Sequence, residues 1–248
     1  MGIVRRPAPF AALGGTGSLM VVLALSLLGA RTLLAQVGHP PGSSPYREIP
    51  KGHAVTPFAA FFAGDGGRFG IAPGDGQLYG LRYDIRTGST VQMGLLVSHG
   101  QLERLIVDPF VPVDERVSGP VDQSTTFVEA DVQLNLTGGK SWNRFAPFIA
   151  GGVGLAFAED TPADSSGFEL GNKFYFAPHA GFRFFIADRV YLRADARVIF
   201  WKLSYPASFT IPPPDLPGTP PVIVDGNTSE WDTSGWYQAG LGFSFSVP

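Results

Sequence analysis

The sequence predicts an all-β protein, an eight-stranded antiparallel up-and-down transmembrane β-barrel. Three observations predict it: apolar and polar residues alternate in many segments, the N-terminus has the features of a secretory signal, and the connections between segments alternate between short and long. Strands of a membrane barrel alternate lipid-facing with lumen-facing residues. Where no spanning helix is available, only a closed barrel leaves no backbone polar group unpaired in lipid.

Residues 1–35 are predicted to be a signal peptide. Arg5 and Arg6 precede an apolar run at 19–28, and small residues near Ala35 suit a signal peptidase. The alternative is a membrane anchor, but the dense apolar run is shorter than the ~20 residues of a spanning helix. The Pro-, Gly- and Ser-rich residues 36–55 are then a flexible periplasmic leader, and 56–248 form the barrel.

The composition excludes several classes of function. The sequence contains no cysteine, which excludes disulfides, thiolate metal sites and a lipoprotein anchor. Three of the 18 bases lie in the signal segment, so the mature chain has 15 bases against 21 acids. A net charge of −6 argues against nucleic acid as a partner. Nothing in the sequence implies a cofactor.

Seven segments alternate with a period of two, and their charged residues all fall in one parity. In the first, the apolar or aromatic odd positions alternate with Gly80, Arg82, Asp84 and Arg86. Lipid exposure requires this asymmetry, because an Arg at mid-bilayer costs about 2–4 kcal/mol in a barrel. The segments are 79–86, 91–98, 128–136, 149–157, 174–184, 190–200 and 237–247.

An eighth strand is predicted at 56–63, which gives the even number usual in bacterial barrels. A soluble antiparallel sheet also alternates, so a secreted β-sandwich or a lipocalin-like carrier is the alternative fold. Pro178 falls inside a predicted strand. Because proline cannot donate to the ladder, a bulge or a local break is expected there.

The connections predict the orientation. Short connections at 86–89, 137–143 and 186–189 alternate with long ones at 64–76, 99–123, 158–171 and 201–234. Outer-membrane barrels have short periplasmic turns and long extracellular loops. The last loop is Pro-rich, and its residues 222–224 could form a short hairpin arm.

Two stretches carry a resemblance to a known family. Residues 147–154 read PFIAGGVG, and residues 180–193 form a strand, tight turn and strand, AGFRFFIADRVYLR. The chain resembles the small eight-stranded outer-membrane barrels of the OmpA/OmpX type over residues 56–248. The resemblance implies an integral outer-membrane protein in contact with outer-membrane lipids. It also implies recognition by the barrel-assembly machinery through the C-terminal strand, although Val247 and Pro248 replace the usual final aromatic residue.

The candidate site is a charge network inside the barrel. Eight strands leave an interior that side chains just fill, and buried charges persist when they are paired. We therefore expect a structural salt-bridge plug, in a scaffold whose long loops meet an unknown extracellular partner. A small gated channel is the alternative function. The nine lumen-parity charges are Arg82, Asp84, Arg86, Glu129, Asp131, Arg183, Arg193, Asp195 and Arg197.

No enzyme site is expected. A lipid-modifying barrel enzyme would need a nucleophile near a base, and neither His179 nor the pair Ser98 and His99 has an acidic residue two positions away. Acidic residues Asp160, Asp164 and Glu169 cluster in one loop and could bind calcium. Their spacing matches no calcium-binding motif, so no metal is predicted.

Overall fold

The structure is a computed structural model that describes residues 43–49, 52–162, 164 and 166–246. The predicted signal peptide and residues 36–42 of the leader lie outside the described residues. The unit Pro45–Pro248 contains every described strand, and only Ser43 and Ser44 are described in the preceding unit. In the described part of the chain, no helix is long and apolar enough to cross a membrane.

Eight long antiparallel strands form a closed ring, which confirms the predicted fold class. Each strand pairs with its neighbours along the chain, apart from the two short strands β1 and β6, and pairing of β10 with β2 closes the ring. The strands are β1 (Tyr46–Glu48), β2 (Gly52–Ala63), β3 (Gly76–Arg86), β4 (Val91–Val107), β5 (Val117–Asn135), β6 (Lys140–Trp142), β7 (Phe145–Ala158), β8 (Asn172–Phe185), β9 (Val190–Ser204) and β10 (Ser229–Phe245).

The register sets the tilt of the strands. A path through paired residues that starts at Asn135 on β5 passes round the ring and returns to β5 at Thr125, ten residues away. With strands about 4.8 Å apart and a rise of about 3.3 Å per residue, this stagger tilts eight strands by roughly 40°. Membrane barrels have tilts of this size.

The ring has a turn end and a loop end, which we define by the connections found there. The turn end carries the connections after β3, β5 and β8, and the loop end carries those after β2, β4, β7 and β9. Two loops are shorter than predicted. Strands β4 and β5 extend into the predicted connection 99–123 and leave 108–116 between them, while the predicted connection 201–234 contracts to 205–228.

The leader prediction needs correction. Residues 46–48 are not a free segment, because they form β1 and pair with β6 at the turn end. The amide of Ile49 donates to the carbonyl of Gly139 at 2.9 Å, and the Ile49 side chain is buried. The first barrel strand begins at Gly52, four residues before the predicted boundary, because its pairing with β3 continues to Arg86.

Pro178 produces a local break without a bulge. The pairs Phe176 with Phe200 and His179 with Arg197 have the same register, but the ladder between β8 and β9 lacks the two pairs in between. On its other side, Pro178 remains paired with Gly151 of β7. Of the two predicted outcomes, a bulge or a local break, the structure shows the break, and no residue is inserted.

Candidate functional site in the barrel lumen

The outward face of the ring is a belt of exposed apolar and aromatic side chains. Soluble monomers rarely expose contiguous apolar patches larger than a few hundred Å², whereas an apolar band about 25 Å tall surrounds membrane barrels. Members of the belt from seven strands include Tyr79, Leu81, Met93, Leu95, Val132, Ile149, Val153, Phe174, Phe176, Phe182, Leu192, Val198, Tyr237, Leu241 and Phe243.

The inward face holds buried ion pairs in two groups, and the first group is centred on Arg82. This side chain is fully buried, and its guanidinium donates to both carboxylate oxygens of Asp131 at 2.5 and 2.7 Å. Its Nε donates to Asp84 at 2.8 Å. Bidentate pairing of this kind gives the strongest charge-assisted hydrogen bonds. Arg82 thus joins carboxylates from β3 and β5, which are separated by β4.

Gly94 of β4 makes this contact possible. It is paired with Asp84 on one side and with Asp131 on the other. A Cβ on Gly94 would overlap with the guanidinium of Arg82. Because the residue has no side chain, Arg82 can cross over β4 and reach Asp131.

A Gly94→Ala substitution is therefore expected to displace Arg82 and to lower the free energy of unfolding by about 1–3 kcal/mol, the usual cost of overpacking. The measurement is urea unfolding of the protein in lipid vesicles. Gly151→Ala is the matched control, because Gly151 faces outward on β7 and its Cβ would meet no atom within 4 Å. The control should change stability by no more than about 0.5 kcal/mol; equal losses in the two variants would contradict the crowding at Gly94.

A second group of buried ion pairs is centred on β9. Arg197 donates to Glu129 at 2.7 Å and to Asp195 at 2.8 Å. The Nε of Arg193 donates to the other oxygen of Asp195 at 2.9 Å, and the Asp195 carboxylate also accepts from the Gln238 amide. Both guanidinium groups are shared between two acceptors, so these four charges form one connected group of ion pairs, separate from the group around Arg82.

The remaining two predicted residues behave differently. Arg183 is buried and donates to the neutral oxygens of Gln92 and Asn135 at 2.9 and 2.6 Å. Arg86 lies at the turn end, where it donates to the carbonyls of Ile49 and Ser89 at 2.7 and 2.9 Å. Arg86 has the lumen parity, but it is the last residue of β3 and reaches the leader instead of the central carboxylates. The structure thus brings seven of the nine residues into two ion-pair groups, one of three residues and one of four.

Sequence reasoning missed an aromatic layer on the loop-end side of these charges. Trp236 packs edge-on against Phe127, with ring centroids 5.2 Å apart, and Phe62 lies 5.8 Å from Trp201. Arg197 lies 5.1 Å from the Trp236 ring, so the charged and aromatic layers touch. The buried cluster contains Phe58, Ala60, Phe62, Leu78, Leu96, Leu102, Phe127, Ala156, Tyr175, Ala177, Ile199, Trp201 and Trp236.

A cap covers the loop end. Side chains from three loops and two strand ends form its buried apolar cluster, which contains Ile71, Ala72, Val107, Phe168, Leu170, Leu203, Tyr205, Phe209 and Ile223. Residues 222–224 form no strand, so the suggested hairpin arm is wrong. Instead, the amide of Ile223 donates to the carbonyl of Phe209 at 2.7 Å, and the Ile223 side chain packs into the cap.

A buried ion pair fixes one loop of the cap. Arg104 lies 2.8 Å from Asp164, and its guanidinium lies 5.6 Å from the ring of Phe168. The amide of Ser166 donates to the other Asp164 oxygen at 2.9 Å. Burial opposes ionisation of Asp164, but the hydrogen bonds from Ser166 and Arg104 outweigh it and hold the pKa of this carboxyl below its ordinary value.

Because the pKa of Asp164 is lowered, the direction of the pH effect on the cap can be predicted. The contribution of Asp164 to the cap is fully present above the ordinary carboxyl pKa and is lost as the pH falls through the lower value of the folded state. We expect the amide resonance of Ser166 to shift in that acidic window in an NMR titration. Asp164→Asn should abolish the transition, and a midpoint at or above the ordinary value would contradict the ion pair.

The structure separates the serine and histidine that the sequence places side by side, and it buries His179. Ser98 faces the lumen and His99 faces outward, where its Nδ1 lies 2.9 Å from the Thr126 hydroxyl. Successive residues of a strand point to opposite faces, so these two side chains cannot act as a pair. His179 is buried, and its Nδ1 lies 3.0 Å from the carbonyl oxygen of Ala177. Among the described residues, no group of three acids or histidines could hold a metal ion.

Comparison with known proteins found similar solved structures. No protein-family model and no curated protein sequence matches the chain. Among solved structures, it is similar to the outer membrane protein OprG from Pseudomonas aeruginosa (15% identity, 81% of this chain and 99% of that one, TM-score 0.48). It is also similar to Neisserial surface protein A (12%, 82% and 98%, TM-score 0.48) and to the N-terminal barrel domain of P. aeruginosa OprF (12%, 79% and 99%, TM-score 0.40).

These neighbours are small outer-membrane barrels, the kind of protein that the sequence resembles. The eight-stranded ring itself follows from the strand pairing of this chain.

Proposed function

We propose that this protein is an integral outer-membrane barrel whose filled lumen makes it a rigid, non-enzymatic and non-conducting scaffold for the surface at its loop end. The observation that carries the proposal is that side chains fill the lumen at three successive levels. The ion pairs, an aromatic layer and an apolar cap follow one another along the axis. At this strand number, side chains are sufficient to fill the interior.

The distribution of charge supports an orientation with the loop end outside. The loop-end ranges 64–75, 101–124, 159–173 and 202–232 contain fifteen acids and five bases. At the turn end, the described bases Arg47, Arg86, Lys140, Arg144 and Arg189 face only two described acids, Glu48 and Asp188. Export by the predicted signal peptide would place the leader and the turn end in the periplasm. Insertion would then bring the apolar belt into contact with outer-membrane lipids.

Strand β10 is the segment that we propose the assembly machinery recognises. It is the last strand of the ring and pairs with β2 to close it. Its outward residues Tyr237, Leu241 and Phe243 are exposed and apolar, like the lipid-facing residues of a membrane barrel.

A small gated channel is the second candidate, because Arg197 is shared between two carboxylates and could exchange one partner without becoming unpaired. Conductance across a planar bilayer separates the two functions. We expect purified protein, shown to be folded by a gel mobility that changes on boiling, to give no steady current. A steady open current from folded protein would overturn the scaffold and favour the channel.

A further inference from the structure

The hairpin between β4 and β5 ends in an exposed apolar tip, which we define as residues 108–116. Phe110 and Val113 are 52% and 56% exposed. Neither belongs to the buried cluster of the cap. The tip also lies beyond the outward belt, since the outward positions His99, Gln101 and Glu103 of β4 are polar and separate the two. These two side chains therefore do not serve the core, the cap or the lipid belt.

The tip is held in one conformation. The amide of Asp108 donates to the carbonyl of Arg116, that of Phe110 to the Asp108 carboxylate, and that of Glu115 to the carbonyl of Pro112, each at 2.9 Å. Arg116 is buried, and its guanidinium donates to the carbonyl of Pro220 in the last loop at 2.6 Å. A surface that is already ordered loses less conformational freedom when a partner binds.

The charge around the tip has one sign. Asp108, Asp114 and Glu115 flank the two apolar residues, while the only base of the tip, Arg116, is turned inward towards Pro220. The whole loop end carries fifteen acids against five bases. Such a field attracts cationic partners and repels anionic ones.

We infer that the tip docks a basic polypeptide, whose Lys or Arg residues face the tip acids and whose apolar side chains cover Phe110 and Val113. Aromatic anchors surrounded by charged residues are typical of protein interfaces. An inorganic cation would leave the apolar pair uncovered, and an anionic polysaccharide or headgroup would be repelled. The inference rests on the proposed function, because it requires the loop end to be outside the cell.

Binding of model peptides to the full chain in nanodiscs of zwitterionic lipid tests this inference. Three twelve-residue probes are used: one with Lys and Leu, one with Lys and Ser, and one with Glu and Leu. We expect the Lys/Leu peptide to bind most tightly, the Lys/Ser peptide more weakly, and the Glu/Leu peptide not at all. Raising the salt concentration should weaken both basic peptides.

Two double variants identify the surface. The double variant Phe110→Ser, Val113→Ser should lower the affinity for the Lys/Leu peptide roughly tenfold or more, the loss expected when a buried anchor is removed. The double variant Asp114→Asn, Glu115→Gln should lower the affinity for both basic peptides and reduce the salt dependence of their binding. Ile211→Ser is the matched control, since Ile211 is similarly exposed on another loop and should leave binding unchanged.

Equal binding to the wild type and to the Phe110/Val113 variant would overturn the inference, as would equal loss in the Ile211 control. Binding only of Mg²⁺, without selection among the peptides, would also overturn it. The same preparation gives the change in gel mobility on boiling and the bilayer current. A folded, non-conducting protein that ignores all three peptides would therefore refute the docking surface while leaving the scaffold intact.

Discussion

Arg82→Met is expected to lower the free energy of unfolding by about 3–5 kcal/mol, the cost of leaving one side of a buried ion pair uncompensated. Asp84 and Asp131 both depend on this guanidinium, and all three side chains are buried. The substitution keeps most of the volume, so the loss reports the electrostatics and not a cavity. Urea unfolding in lipid vesicles measures it.

Removing all three charges together should lower the free energy of unfolding much less. In the triple variant Arg82→Met, Asp84→Asn, Asp131→Asn, no unpaired charge of this group remains in the lumen. Buried ion pairs can often be replaced by neutral groups at little cost, so we expect the triple variant to recover most of the stability lost in the single one. Such recovery would be a strong departure from additivity, which is characteristic of contacting residues. A triple variant less stable than Arg82→Met would contradict the coupling.

The alternation of residue types was sufficient to predict the ring and the face on which each charge lies. It could not predict which charges meet, because that depends on the register of strands that are distant in sequence. Arg82 and Asp131 are 49 positions apart and meet across a third strand, through the space left by Gly94. Parity alone also assigned Arg86 to the network, although its position at the end of β3 directs it to the leader.

The aromatic layer could have been found by continuing the same alternation. Phe127 and Trp201 have the lumen parity of β5 and β9, and Trp236 has that of β10. They were missed because the predicted strands ended too early, near the positions where polar loop residues begin. The cap had no comparable signal in the sequence. Most of its members come from separate Pro- and Gly-rich loops without periodicity, and only the closed ring brings them together with Val107 and Leu203 at two strand ends.

Phe127→Ala is expected to lower the free energy of unfolding by about 3–5 kcal/mol, because removal of a buried Phe ring loses its transfer free energy and leaves a cavity. Phe127 is fully buried and contacts Phe62, Trp201 and Trp236. No lipid can enter the lumen at this level, so the space that the ring leaves cannot be refilled by acyl chains. Urea unfolding in vesicles measures the loss, and tryptophan emission of the folded protein should shift because two indoles lose a neighbour.

Phe176→Ala provides the matched control for this layer. Phe176 lies on the lipid-facing side of β8 and is substantially exposed. Acyl chains fill the space left by this ring, so the loss should be limited to a transfer cost of about 1.5–3 kcal/mol, without a shift in tryptophan emission. Neither variant should conduct, because the ion pairs and the cap still close the barrel. Equal losses in the two variants would show that the aromatic layer is not tightly packed. A current from Phe127→Ala alone would show that the ion pairs and the cap do not close the lumen by themselves.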